Sequence, residues 1–181
     1  MSVRLVEPGS ETSWRIRSAE DGDLAAILDL AGQALSTTTI EATSWIAQWW
    51  DSDAVGAFVA DRDGRFAGFF MLGFLLGRDS SHLVGELLAI AVHPRAQRRG
   101  AGRRLIEHAA RIVAEAEVDV AQRSLQLNVA QHNVAGLALF EASGFVPVEG
   151  VAAPYPDGSS SLRMSRLLPS TVSALEGSLA R

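Results

Sequence analysis

The chain has 181 residues, 48% of them apolar and 20% charged, with a formal net charge of -5. That length and balance suit one globular domain with a substantial core. It has no cysteine, and all 16 Lys/Arg-class residues are arginine, so disulfides, thiolate metal sites, cysteine nucleophiles and lysine chemistry are excluded.

The opening stretch MSVRLVEPGSE has no apolar h-region, and residues 1–13 read as a lead-in without a secretory leader. WRIRS (14–18) alternates and predicts a first strand. Ser18 to Asp21 has the spacing of a capping box, and Leu24, Ile27, Leu28, Ala31 and Leu35 form the apolar stripe of a following helix. Residues 36–53 hold a threonine run and then Trp45, Ile46, Trp49 and Trp50 at helical spacing. These predict a second helix packed on the core, in preference to a substrate-lining one.

Two apolar runs then flank Asp63-Gly64, which marks a tight hairpin turn. FAGFFMLGFLLG, the longest apolar run, is too short and too glycine-broken to span a bilayer, so no membrane partner and a cytoplasmic location are expected. GRDSSHLVG reads as a loop, and ELLAIAV (86–92) as a buried strand closed by Pro94. From Gly102, the residues Leu105, Ala109, Ile112, Val113 and Ala116 keep helical phase to about Glu117. LQLNV (125–129) alternates as a strand. Asn133 can cap a helix to Ser143, with Gly144 in the terminating position and Phe145 folding back. VPVEG is a short strand, VAAPYPDGSS a turn-rich loop, SLRMSRLL (161–168) a last strand, and the tail starts at Pro169. The order β-α-α-β-β-β-α-β-α-β-β predicts an α/β domain with a mixed sheet over residues 14–168.

Residues 93–105, HPRAQRRGAGRRL, place Arg95, Arg98, Arg99, Arg103 and Arg104 at a strand-to-helix turn without one acidic residue. A solvated basic face is one reading. A phosphate site is the better one, because a helix start offers free N–H groups and a partial positive charge, while cations alone are unfavourable there. A nucleotide phosphate loop needs a lysine, and a dinucleotide fingerprint needs a third glycine; both are missing. Nucleic acid prefers a broad basic surface, so no nucleic-acid partner is expected from one compact cluster in an acidic chain.

The run Gln97 to Gly102 resembles the Q/R-x-x-G-x-G/A pyrophosphate loop of the GCN5-related N-acetyltransferases, the GNAT superfamily, and ELLAIAVHP resembles that family's fourth strand. Residues 125–145 resemble its second signature: Asn133, Leu139, Gly144 and Phe145 match, while Gly136 replaces an alanine and Phe140 a tyrosine. The resemblance implies a mixed, mostly antiparallel twisted sheet flanked by helices and splayed between strands 4 and 5. It implies an N-acetyltransferase moving an acetyl group from acetyl-CoA to a small-molecule amine or peptide acceptor, without a metal, often as a homodimer. Backbone groups of Ile90, Ala91 and Val92 would meet the pantetheine arm. Gln97, Arg98, Arg99, Gly100, Ala101, Gly102 and Arg103 would cradle the pyrophosphate, and Asn133 and Phe140 would border the thioester end.

For catalysis, Glu86 matches the glutamate base of the histone-acetyltransferase branch, and strand parity puts it on one face with Leu88 and Ile90 unless a bulge intervenes. The carboxylate of other branches is Asn128 here, which can orient a water but cannot take a proton. Phe140 stands where a tyrosine often protonates the leaving thiolate. Tyr155, the only tyrosine, is the remaining phenol and lies in the loop before the last strand. Missing both the tyrosine and that carboxylate keeps a non-catalytic acyl-CoA sensor or interaction domain open as the alternative. His82, His93, His108 and His132 show no metal-ligand spacing.

Overall fold

The computed structural model describes residues 14–35, 39–77, 80–149 and 160–169; the lead-in, most of the C-terminal tail and Tyr155 lie outside the described residues. The elements are β1 (Trp14–Ser18), α1 (Leu24–Ala34), α2 (Thr39–Trp50), β2 (Val55–Arg62), β3 (Arg65–Leu76), β4 (His82–Val92), α3 (Ala101–Glu115), β5 (Gln122–Ala130), α4 (Val134–Ala142), β6 (Val146–Pro147) and β7 (Ser161–Leu168). Their order is the one the sequence predicts. Seven strands form one sheet in the order β1-β2-β3-β4-β5-β7-β6. Only β4 and β5 run parallel; the other neighbours are antiparallel.

The alternation of β3 explains how both faces are covered. Phe70 and Leu72 join Leu105, Ile106, Ala109 and Val113 of α3, whereas Phe69 and Met71 join Ile27, Leu30 and Ile46 of α1 and α2. Each such fully buried side chain contributes about 1.5–3 kcal/mol. The β2–β3 turn is the tight one expected, with Asp63 and Gly64 both left-handed (φ 54° and 71°).

Three local readings are corrected. The N-cap lies at Glu20, not Ser18: the Glu20 N–H donates to the Asp23 carboxylate at 2.8 Å, and a short 3-10 turn (Asp21–Asp23) precedes α1. Asp23 is fixed there by Arg17, which also holds Asp61. Second, β4 begins at His82, four residues inside the expected loop. Gly85 concealed it: a Cβ at Gly85 would collide with Val113 of α3, so the strand position demands glycine and loses its β signal. Third, β4 carries a bulge. Met71 pairs with Ala89 and Leu72 with Leu87, leaving Leu88 without a partner on β3. Strand parity therefore changes within β4. Leu87 belongs to the α3-side core and Leu88 packs on the α1–α2 side, as Ala89 and Ala91 do, but Ile90 packs on the α3 side. Glu86 and Ile90 do not share a face.

Candidate active site

The parallel ladder between β4 and β5 ends at Glu86↔Gln126. Beyond it β4 continues to Val92 and β5 to Ala130, each paired only on its outer side. The open wedge is a cavity of about 340 Å³. Leu87 to Ile90 form one wall and Leu127 to Ala130 the other; Asn133 and Phe140 of the α4 region and Leu35, Trp45 and Trp49 of the α1–α2 region complete the lining.

At the tip of β4 the chain turns into α3 through the arginine run. The Gln97 side-chain amide donates to the Val92 carbonyl at 3.0 Å and ties the loop to the strand end. Arg98 (φ 59°) and Gly100 (φ 86°) are left-handed, with ordinary Arg99 between them, a backbone alternation that turns successive N–H groups toward one side. Gly100 is the N-cap of α3, with open space where a Cβ would stand. The first N–H groups of α3, from Ala101 to Arg103, precede any intrahelical carbonyl. Arg98, Arg99, Arg103 and Arg104 are exposed, and their side chains have no hydrogen-bond or ion-pair partner among the described residues. Arg95 differs, engaging the His93 ring. Gly102 lies against α4 instead: a Cβ there would stand 2.8 Å from Leu139 Cδ2 and would displace that side chain.

At the apex of the wedge stands Glu86. Its two carboxylate oxygens accept from the two terminal nitrogens of Arg163, on β7, at 2.6 Å each. The two side chains are only 13% and 17% exposed. Arg163 also donates to Gln126 Oε1 at 2.8 Å; Gln126 donates to Ser124 Oγ at 3.3 Å, and that hydroxyl lies 2.9 Å from His82 Nε2. A polar chain thus runs across β4, β5 and β7 behind the apex. Sequence reading missed Arg163 and Gln126. Their only signal was polar residues at alternate positions of apolar strands.

Asn128 lines the cavity and sits opposite Arg163 in the β5–β7 register. Asn133 caps α4, its Oδ1 accepting from the Gly136 N–H at 2.9 Å. The folded-over amide fills the space a Gly136 Cβ would need, 2.7 Å away, which accounts for glycine in place of alanine. Phe140 is buried edge-on to Phe145, with 5.7 Å between ring centres, and lines the cavity as a hydrocarbon surface. On α2, Ile46 is buried and Trp50 packs on the core; Trp49 packs on the core and also lines the cavity, as Trp45 does, so the expectation of a purely core-packed helix is corrected there. His108 packs beside Phe58 and Phe70 on the far side of α3, where burial first and Arg111 second hold its imidazole below the usual range. Among the described residues no group of three or more His, Asp or Glu could hold a metal ion, and no helix is long and apolar enough to cross a membrane.

A sheet opened between its one parallel strand pair, with a cationic helix start beside the opening, is the architecture of an acyltransferase. Residues 24–145 match the acetyltransferase (GNAT) family model, and the chain belongs to that family. Among solved structures it is similar to the ribosomal-protein-S18-alanine N-acetyltransferase of Escherichia coli (25% identity, 86% of this chain and 94% of that one, TM-score 0.67). It is similar in fold to a chain of the NatC complex bound to Gag peptide and CoA (17%, 86% and 99%, TM-score 0.66). A third is the spermidine/spermine N-acetyltransferase SpeG of Vibrio cholerae (20%, 85% and 92%, TM-score 0.59). No curated protein sequence matches the chain.

Proposed function

We propose that the chain transfers an acetyl group from acetyl-CoA to a primary amine, directly and within the wedge between β4 and β5. The observation that carries this reading is the adjoining of two features. The wedge exposes unpaired strand edges to an extended thioester arm, and at its mouth four arginines without partners surround the start of α3. Guanidinium groups and helix N–H groups are the chemistry that holds a pyrophosphate.

In the reaction the amine nitrogen bonds to the thioester carbonyl carbon, the carbon–sulfur bond breaks, and the amine's proton leaves. Strand N–H groups of Leu87 to Val92 facing the opening supply donors for the arm and the developing oxyanion. Glu86 is the nearest carboxylate, but both oxygens are engaged by Arg163, so it takes the proton through a water that Asn128 helps to orient. The apolar walls assist, since leaving water disfavours an ammonium and favours the neutral nucleophile. Phe140 gives no proton to the leaving thiolate, which departs unassisted by a phenol at that position; a thiol of pKa about 8.5 permits this.

Two measurements test the reading: calorimetric binding of acetyl-CoA, and CoA release with a panel of primary amines, repeated in Glu86→Gln. Tight binding with turnover that falls in the variant is expected. Binding without turnover for any amine would favour the acyl-CoA sensor instead.

A further inference from the structure

The acceptor end of the wedge has a composition that the cofactor end does not share. Its wall is built from Leu35, Trp45, Trp49 and Leu88, and among the described residues the only charged side chain lining the cavity is Glu86. That charge is offset. Arg163 covers both carboxylate oxygens from within the sheet, with Gln126 as its third anchor. A cation entering the wedge would therefore meet an ion pair with no net charge, and would lose its hydration without a free carboxylate to replace it.

The indoles stand one helical turn apart on α2, their ring centres 6.5 Å apart and their planes tilted by 35°. Neither is fully buried, whereas Ala42 and Ile46 of the same helix have no exposed surface. Trp49 packs partly on the core and Trp45 does not, and both leave aromatic surface uncovered on the cavity side. Such a wall suits an apolar group, which gains by leaving water in proportion to its area. A lone cation over an indole gains about 0.5–1 kcal/mol at an exposed site, less than burial of an aryl ring.

Resting on the acetyltransferase reading above, we propose that the acceptor is a primary amine carrying an apolar group, aryl or branched alkyl, beside the nitrogen. Trp45 and Trp49 hold that group, and polycationic amines are poor acceptors. The amine can belong to a small molecule or to a peptide N-terminus; the chemistry recognised is the same.

The test uses the full chain saturated with CoA for binding, followed by intrinsic tryptophan fluorescence, and with acetyl-CoA for turnover. The probes are 2-phenylethylamine, ethylamine, spermidine and a short peptide with N-terminal phenylalanine. 2-Phenylethylamine or the phenylalanine peptide should bind at least tenfold more tightly than ethylamine and spermidine, and whichever of the two turns over better identifies the source. Trp45→Ala and Trp49→Ala should each weaken 2-phenylethylamine about tenfold, and ethylamine much less. Spermidine binding best, or an aryl preference that survives both substitutions, would overturn the proposal while leaving the acetyltransferase reading intact. Aryl selectivity in binding without turnover of any probe would keep the apolar site and remove the enzymatic reading.

Discussion

The two ends of the wedge treat positive charge in opposite ways. At the α3 end, Arg98, Arg99, Arg103 and Arg104 stand in solvent without a partner. At the apex, Arg163 is nearly enclosed and spends its hydrogen bonds on Glu86 and Gln126. Unpaired cations gathered at a helix start are unfavourable until an anion arrives, so that end is built for a ligand that brings charge. A paired cation holding a carboxylate is a structural commitment, so that end is built for a ligand that brings little. Net charge alone, -5 for the chain, would have suggested a cationic acceptor; the local pairing argues the reverse.

The largest expected effect lies at the paired end. Arg163→Met leaves Glu86 enclosed and alone, and should cost about 3 kcal/mol of stability in chemical denaturation. Adding Glu86→Gln should return part of that loss. A cost near zero would mean that the pair is solvated and the contrast between the two ends is false. At the unpaired end, the double variant Arg99→Glu, Arg103→Glu should weaken acetyl-CoA about hundredfold by calorimetry, yet barely move the unfolding midpoint, because both side chains are exposed. The glycines sharpen the division further. Gly100→Ala has free space and pays only for its left-handed backbone, about 1–2 kcal/mol. Gly102→Ala meets only the movable end of Leu139 and gains helix propensity, so it should shift stability by less than about 1 kcal/mol. The smallest effect is outside the wedge. His108 titrates below its unfolded value of about 6.5. Between the two values the unfolded chain takes a proton that the folded chain refuses. Stability from this residue is complete above about pH 6.5 and declines as pH falls below it. Denaturation midpoints across that range should show a slope that His108→Phe reduces.

What the sequence disclosed follows physical range. β7 is read over Ser161–Leu168, as SLRMSRLL, because an alternating strand between turns advertises itself locally. The Asp63-Gly64 turn did so too, since few residues tolerate its backbone. The arginine run drew notice because charge at a helix start is a local contradiction, and the structure does put Gly100 at the start of α3. The start of β4 was hidden by Gly85, whose reason is Val113, 28 positions away on another element. Helical spacing put Trp45 and Trp49 on one face but could not say whether that face met core or cleft. The pairing of Glu86 with Arg163 spans 77 positions, with no local trace. The bulge at Leu88, which turns Ile90 to the opposite face from Glu86, depends on register with β3 and is likewise invisible in one strand.

The central claim is that a thioester cosubstrate lies along β4 and ends at the start of α3. Amide hydrogen exchange with and without acetyl-CoA reads this directly. Protection should rise at Leu87 to Val92 and at Arg98 to Arg103, with little change along β1 and β2. Protection absent from Leu87 to Val92, or concentrated instead at Trp14 to Ile16 of β1 and Glu107 to Arg111 of α3, would contradict it.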